Sequence, residues 1–298
     1  MKPETNTGQT GLSIDTESGK TGTGQRVVPA NKRFNELDGQ KWTRYSMSVW
    51  NDISKNADEK KLKHPAVFPI ELAKRVIEIF TKTGETVLDP FVGTGATLLA
   101  AKELNRNAIG VDIVEEYTRI TKERLAKANA LFGIEDGLNI EVICGDARYI
   151  DDIVKPASAD LVFTSPPYWD ILNRKRTADG KETRDYEMGY GNLALVNDYA
   201  RFIKGLTQAF AKIIRVLKAD KYCVVNVMDL RKQDRFYAYH MDLAIALKGI
   251  GFVLEDIIVW NRSREYSNLR PLGYPYRFRV NKVHEYLMIF RKPPEAEI

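Results

Sequence analysis

Two short runs hold the residues best suited to chemistry: Val87-Leu88-Asp89-Pro90-Phe91-Val92-Gly93-Thr94-Gly95 and Thr164-Ser165-Pro166-Pro167-Tyr168-Trp169. In the first, an apolar run ends in a carboxylate and passes through two glycines into Ala96-Thr97-Leu98. Glycines at such a strand-to-helix turn let the backbone approach a ligand beside a helix N-terminus, although a tight turn needs them even with nothing bound. Asp112, followed by Ile113, closes the next apolar run, and Asp146 stands in Gly145-Asp146-Ala147 after the one beyond. Unpaired acids at neighbouring strand ends repel one another, so either they cap the following helices or they serve a ligand. The second acid is placed to accept from both ribose hydroxyls and the third from an adenine amino group. Leu98 stands where a dinucleotide fingerprint wants its third glycine, which favours an adenosine ligand without a pyrophosphate.

In the second run, two prolines end a buried strand and stiffen the backbone beyond it. They donate no hydrogen bond, which leaves the Ser165 and Pro166 carbonyls to face a cleft. The plain alternative is an ordinary loop with a packed tyrosine.

The elements that must position these runs alternate in a βαβ rhythm, which implies a parallel sheet covered by helices. Strands are expected at 86–89, 108–113, 140–144, 160–164, 222–228, 252–260 and 283–291. Helices are expected at 69–80, 95–105, 115–131, 198–217 and 241–248. The last two strands are joined without a helix and should pair antiparallel. Residues 1–26 are too polar to repay ordering and read as a disordered tail, and 27–63 as an arm whose Trp42, Tyr45, Met47 and Trp50 must pack on the core. The domain proper is then 64–298.

With 298 residues and 44% hydrophobic side chains the chain can bury a large core, and net charge +5 permits a polyanionic partner without requiring one. Only Cys144 and Cys223 are present, which argues against a disulfide framework or a cysteine metal site and points to a reducing cytoplasm. No apolar run is long enough to span a bilayer, and neither membrane nor metal is expected.

The two runs together resemble the amino-group DNA methyltransferases, whose signatures are a D-P-F-x-G-x-G cofactor turn and an S-P-P-Y or D/N-P-P-Y catalytic loop. The likeness extends to Lys63-His64-Pro65-Ala66-Val67-Phe68-Pro69, similar to the family's cofactor-covering segment, and to Lys282-Val283-His284-Glu285-Tyr286-Leu287, similar to its final strand. It implies a Rossmann-like methyltransferase fold: a mostly parallel seven-stranded sheet with an antiparallel edge hairpin and helices on both faces. It implies S-adenosyl-L-methionine held by His64, Phe68, Asp89, Pro90, Phe91, Gly93, Gly95, Asp112, Ile113, Asp146 and Ala147. It further implies a base flipped out of duplex DNA, stacked on Tyr168 and held through its amino group by Ser165 and the Pro166-Pro167 corner. Serine at the first loop position implies cytosine N4; adenine N6 and an RNA substrate are the alternatives. A catalytically silent nucleotide-binding or nucleic-acid-binding module on the same fold is the rival of a different class. A cognate restriction endonuclease is the implied companion.

Two long connections, about 171–196 and 261–282, mix arginine with aromatics and suit phosphate contact and stacking, although charged loops are often only solvated surface. Arg174, Lys175, Arg176, Arg262, Arg264, Arg270 and Arg277 are the expected DNA contacts.

Overall fold

The computed structural model describes residues 29, 32–61, 68–132, 137–170, 192–266 and 269–294. The chain forms two units, Met1–Phe34 and Asn35–Ile298. In the first, the Lys32 amide donates to the Pro29 carbonyl (2.9 Å).

The second unit opens with α1 (Gly39–Tyr45), β1 (Val49–Trp50), α2 (Ala57–Lys61) and α3 (Ile70–Phe80). It continues through β2 (Thr86–Asp89), α4 (Ala96–Glu103), β3 (Asn107–Asp112), α5 (Glu115–Phe132), β4 (Ile140–Cys144), α6 (Ile150–Ile153) and β5 (Ala159–Thr164). After α7 (Tyr199–Val216) come β6 (Leu217–Val227), a small hairpin of β7 (Leu230–Lys232) and β8 (Arg235–Tyr237), then α8 (Tyr239–Lys248), β9 (Val253–Asn261) and β10 (His284–Arg291).

The sheet order is β1-β9-β10-β6-β5-β2-β3-β4. From β6 to β4 neighbouring strands run parallel, while β10 is antiparallel to both β6 and β9. All seven expected strands are there, with the last two paired as expected. The two-residue β1 adds an eighth, parallel to β9. Strand β6 begins five residues before its apolar run, because a register shift between Ala159 and Leu161 accommodates the turn at Asp220 (φ 57°). The polar Lys218-Ala219-Asp220-Lys221 conceals that start from a reading of periodicity.

Alternation along the central strands divides the core in two, as a sheet with helices on both faces requires. Leu88, Val162, Cys223 and Val225 face Phe202, Leu206, Phe210 and Ile213 of α7 and Leu243 and Leu247 of α8. Val87, Leu161, Phe163 and Val224 face Leu72, Val76 and Ile77 of α3, Leu98 to Ala101 of α4, and Leu125 of α5. Helix α7 starts where Asp198 caps it by accepting from the Arg201 amide (2.7 Å). Pro69, expected inside the first turn of α3, is its extended N-cap residue.

Ahead of α3, Trp50 (1% exposed) lies beside Trp260 in the β1–β9 register, and its indole donates to the Tyr45 carbonyl (3.1 Å). Arg75 packs over Tyr45 and Trp50 and grips Asp52 with both terminal nitrogens (2.9 and 3.0 Å). Trp42 and Met47 remain about half exposed. Among the described residues no helix is long and apolar enough to cross a membrane.

Candidate active site

At the carboxyl ends of β2, β3 and β5 an open cleft is lined by both chemical runs. Phe68, Pro90, Phe91, Gly93, Asp112, Ile113, Asp146, Ala147, Ser165, Pro166 and Pro167 all line it. Val92, Thr94, Ala96, Val114, Tyr117, Asn192 and Leu193 complete the lining and were not expected from sequence. Single residues outside a motif, apolar or polar, carry no signal of facing a ligand.

The turn between β2 and α4 is set by its glycines. Gly93 and Gly95 hold positive φ (50° and 84°), and a Cβ on Gly95 would stand 2.6 Å from Thr121 Cγ2, so a side chain there is both strained and obstructed. The Thr121 hydroxyl in turn donates to the Gly93 carbonyl (2.9 Å).

Asp112 lines the cleft with each carboxylate oxygen accepting one backbone N–H: Oδ2 from Gly93 (2.8 Å) and Oδ1 from Val114 (3.0 Å). Each oxygen keeps lone-pair capacity, which matches a vicinal pair of hydroxyls. Burial pushes its pKa up to about 6 against those backbone donors. Asp146 also lines the cleft but is engaged by Arg148, through the backbone amide (2.9 Å) and Nε (3.1 and 2.9 Å). Asp146 thus caps the short helical turn at Ala147–Tyr149, as weighed, whereas Asp112 accepts from Val114, ahead of α5, and does not cap that helix. Asn192 adds a polar group: its Oδ1 accepts from the Ala194 amide (2.9 Å), while Nδ2 is a buried donor without a partner among the described residues. A free donor and an acid with spare acceptor capacity, between Phe68, Phe91 and Ile113, fit an adenosine-containing cofactor.

Three expected site residues sit elsewhere. Asp89 is fully buried behind the turn, where it accepts from the Phe91 amide (3.1 Å) and from the Thr97 and Thr164 hydroxyls (2.6 Å each). Because Thr164 ends β5, Asp89 ties the cofactor turn to the root of the Ser165-Pro166-Pro167 corner, and burial, with Asp112 nearby, raises its pKa to about 6. Gly95 shapes the turn from behind the lining. Tyr168, expected to stack on a base, is only 6% exposed and edge-on to Tyr239. Its hydroxyl is bound from within, at 3.2 Å from both Ser165 Oγ and Glu285 Oε2. Burial and the Glu285 charge hold that phenol well above its ordinary pKa. The corner is also braced by Tyr239, whose hydroxyl donates to the Pro167 carbonyl (3.1 Å). The chain then turns through Trp169 at φ 52°, a side chain 2% exposed whose indole donates to the Val196 carbonyl (2.6 Å).

Among the expected DNA contacts, Arg262 is corrected. Its guanidinium binds Glu285 Oε1 and Glu265 Oε2 and packs over Trp260 (4.8 Å). Burial opposes its charge, but Glu285, Tyr266 and Glu265 outweigh that and hold it above its ordinary pKa. A cation so enclosed has no fork left for a phosphate. Arg264 and Arg270 are exposed, and Arg277 is exposed but paired with Asp234 (3.2 Å). His64, Arg174, Lys175 and Arg176 lie outside the described residues. Among the described residues no group of three or more His, Cys, Asp or Glu could hold a metal ion.

Strand order, the reversed last strand and a cleft at the strand carboxyl ends define the Rossmann-like methyltransferase class. Within it, residues 17–123 and 159–297 match the N6/N4 DNA methylase family, and the chain belongs to that family. It is 36% identical over 101 residues to the type II methyltransferase M.MjaI of Methanocaldococcus jannaschii, covering 34% of this chain and 33% of that protein. It is 42% identical over 82 residues to the type II methyltransferase M2.DpnII of Streptococcus pneumoniae, covering 27% and 31%. The matched segments thus span about a third of the length of these curated relatives. Among solved structures, a TehB-like SAM-dependent methyltransferase from Corynebacterium glutamicum aligns over 74% of this chain and 86% of its own at 17% identity, with a TM-score of 0.43.

Proposed function

We propose that this chain transfers a methyl group from S-adenosyl-L-methionine to the exocyclic N4 of cytosine in double-stranded DNA. The observation that carries this reading is that the glycine turn and the Ser165-Pro166-Pro167 corner line one cleft. The bound cofactor supplies an electrophilic methyl group on a sulfonium. Asp112 would accept from the ribose hydroxyls with the lone pairs its backbone donors leave, and Phe68, Phe91 and Ile113 would enclose the apolar parts. Asp146, Ala147 and Asn192, which line the same cleft, would hold the adenine edge.

A base stacked in a duplex cannot present its amino nitrogen to this cleft, so it must be flipped out. Ser165 Oγ and the Pro166 carbonyl then accept from the amino hydrogens, orient the nitrogen lone pair and stabilise the positive charge that develops on it. Serine in the first loop position supports cytosine over adenine. The exposed Arg264 and Arg270 contact phosphates. The type II names of the relatives support a place beside a restriction endonuclease of the same specificity.

Incubation with duplex DNA and methyl-labelled cofactor, followed by digestion and mass spectrometry of the nucleosides, tests the reading. N4-methyldeoxycytidine is the expected product. N6-methyldeoxyadenosine would reassign the base, and label in RNA alone or in neither nucleic acid would overturn the function.

A further inference from the structure

Ser165 poses a chemical question that an aspartate in its place would not. A carboxylate only accepts, whereas a hydroxyl carries one proton as well as two lone pairs and can offer either to a ligand. A serine whose proton pointed into the cleft would repel an incoming amino hydrogen rather than receive it. The contacts behind Ser165 resolve this. Its Oγ lies 3.2 Å from the Tyr168 hydroxyl, and that hydroxyl donates to Glu285 Oε2, also at 3.2 Å. The single phenolic proton is thereby committed to Glu285, which leaves the Tyr168 oxygen as an acceptor for the proton of Ser165.

The far end of the chain of contacts is fixed just as firmly. Glu285 is 4% exposed, its Oε1 is bound by Arg262 Nη1, and its Oε2 receives the Asn226 amide along with Tyr168. Three donors converge on one carboxylate, a group that has only acceptor sites to give them. No reversal of the relay is compatible with that set, because a Tyr168 proton turned toward Ser165 would leave a buried carboxylate oxygen facing a phenolic lone pair.

We propose that Glu285 and Tyr168 are positioning residues that draw the Ser165 proton inward, so that the cleft-lining Oγ presents lone pairs alone and selects a target bearing an N–H donor. The relay rests on the methyl-transfer reading above and deepens it. Glu285 belongs to the last strand and Arg262 immediately follows the strand beside it, so the acceptor character of the loop is set by residues about a hundred positions further along the chain.

A double-mutant cycle tests the relay, using the full chain, a duplex DNA substrate and single-turnover rates with tritiated-methyl cofactor. Tyr168→Phe removes only the hydroxyl. It should slow transfer by about tenfold or more when Ser165 is present and by less than about twofold in a Ser165→Ala background, since its effect passes through that serine. A Ser165→Asp background should be equally indifferent, because a carboxylate needs no proton turned away. Cofactor affinity by titration calorimetry and the thermal midpoint should stay near wild type in Tyr168→Phe, whereas a packing defect would lower both. Glu285→Gln should match Tyr168→Phe in slowing transfer. Equal fold losses from Tyr168→Phe in all three backgrounds, or no loss in the Ser165 protein, would overturn the relay. Absence of methyl transfer by the wild-type chain would instead overturn the function on which it rests.

Discussion

Two buried carboxylates brace the two ends of the cleft, and they are held in opposite ways. Asp89, under the cofactor turn, accepts from two threonine hydroxyls and one backbone amide, all neutral dipoles, and burial pushes it up to about 6. Glu285, under the base corner, is met by a guanidinium as well as by an amide and a phenol. Neutral donors can satisfy the hydrogen bonds of a buried acid without cancelling its charge, and only a counter-ion does both. The cofactor end thus tolerates an acid that titrates in a mild range, whereas at the base end the carboxylate meets a guanidinium directly.

The contrast breaks most severely at Arg262. Arg262→Met leaves Glu285 as an enclosed charge without its counter-ion, and the expected loss of stability is about 3 to 5 kcal/mol, read as a fall in the urea midpoint. Arg262→Lys should recover only part of it, since a single ammonium cannot reach both Glu285 and Glu265 as the fork does. A loss under about 1 kcal/mol would return Arg262 to the class of solvated surface cations and remove the difference between the two ends.

The same contrast explains what could be read without coordinates. The cofactor end is local: Asp89, Phe91, Gly93, Gly95 and Thr97 lie within nine residues, and a strand-to-helix turn imposes its residue types on any sequence that forms it. Asp112 was legible for the same reason, as the acid closing the next strand. The base end is not local. Tyr168 meets Glu285 across 117 positions and Asn226 meets it across 59, so neither contact leaves a spacing in the sequence. Arg262 misled because a charged residue in an arginine-rich connection looks the same whether it faces solvent or a buried carboxylate. The small hairpin of β7 and β8 was missed because three-residue strands are too short to show alternation.

A second break in the comparison lies at Asp112, the acid of the cofactor end that faces the cleft. Its carboxylate sits near 6 in the free protein, and the acceptor role proposed for it requires the ionised form. From about pH 7 to about pH 5 the ionised fraction falls about tenfold, so the cofactor dissociation constant should rise by up to that factor. Asp112→Asn should bind more weakly at neutral pH and show a flatter profile. Asp89 titrates in the same range and couples to Asp112, so the profile is best compared with that of Asp89→Asn, which should keep most of the slope. An affinity independent of pH in the wild type would separate Asp112 from the ligand.

The smallest expected effect concerns Asp89 itself. Its pKa is raised above the ordinary carboxylate value, so the folded state holds a proton that the unfolded chain has already released. Stability owed to this group is therefore fullest below the unfolded value of about 4, declines as pH rises toward 6 and stays low above it. Asp89→Asn retains a carbonyl acceptor for some of the threonine and amide donors and removes the titration. Its stability relative to wild type, from urea unfolding, should improve by roughly 1 kcal/mol between about pH 5 and about pH 7. A difference from wild type that stays constant across that range would mean that the neutral dipoles around Asp89 support its charge as fully as water does.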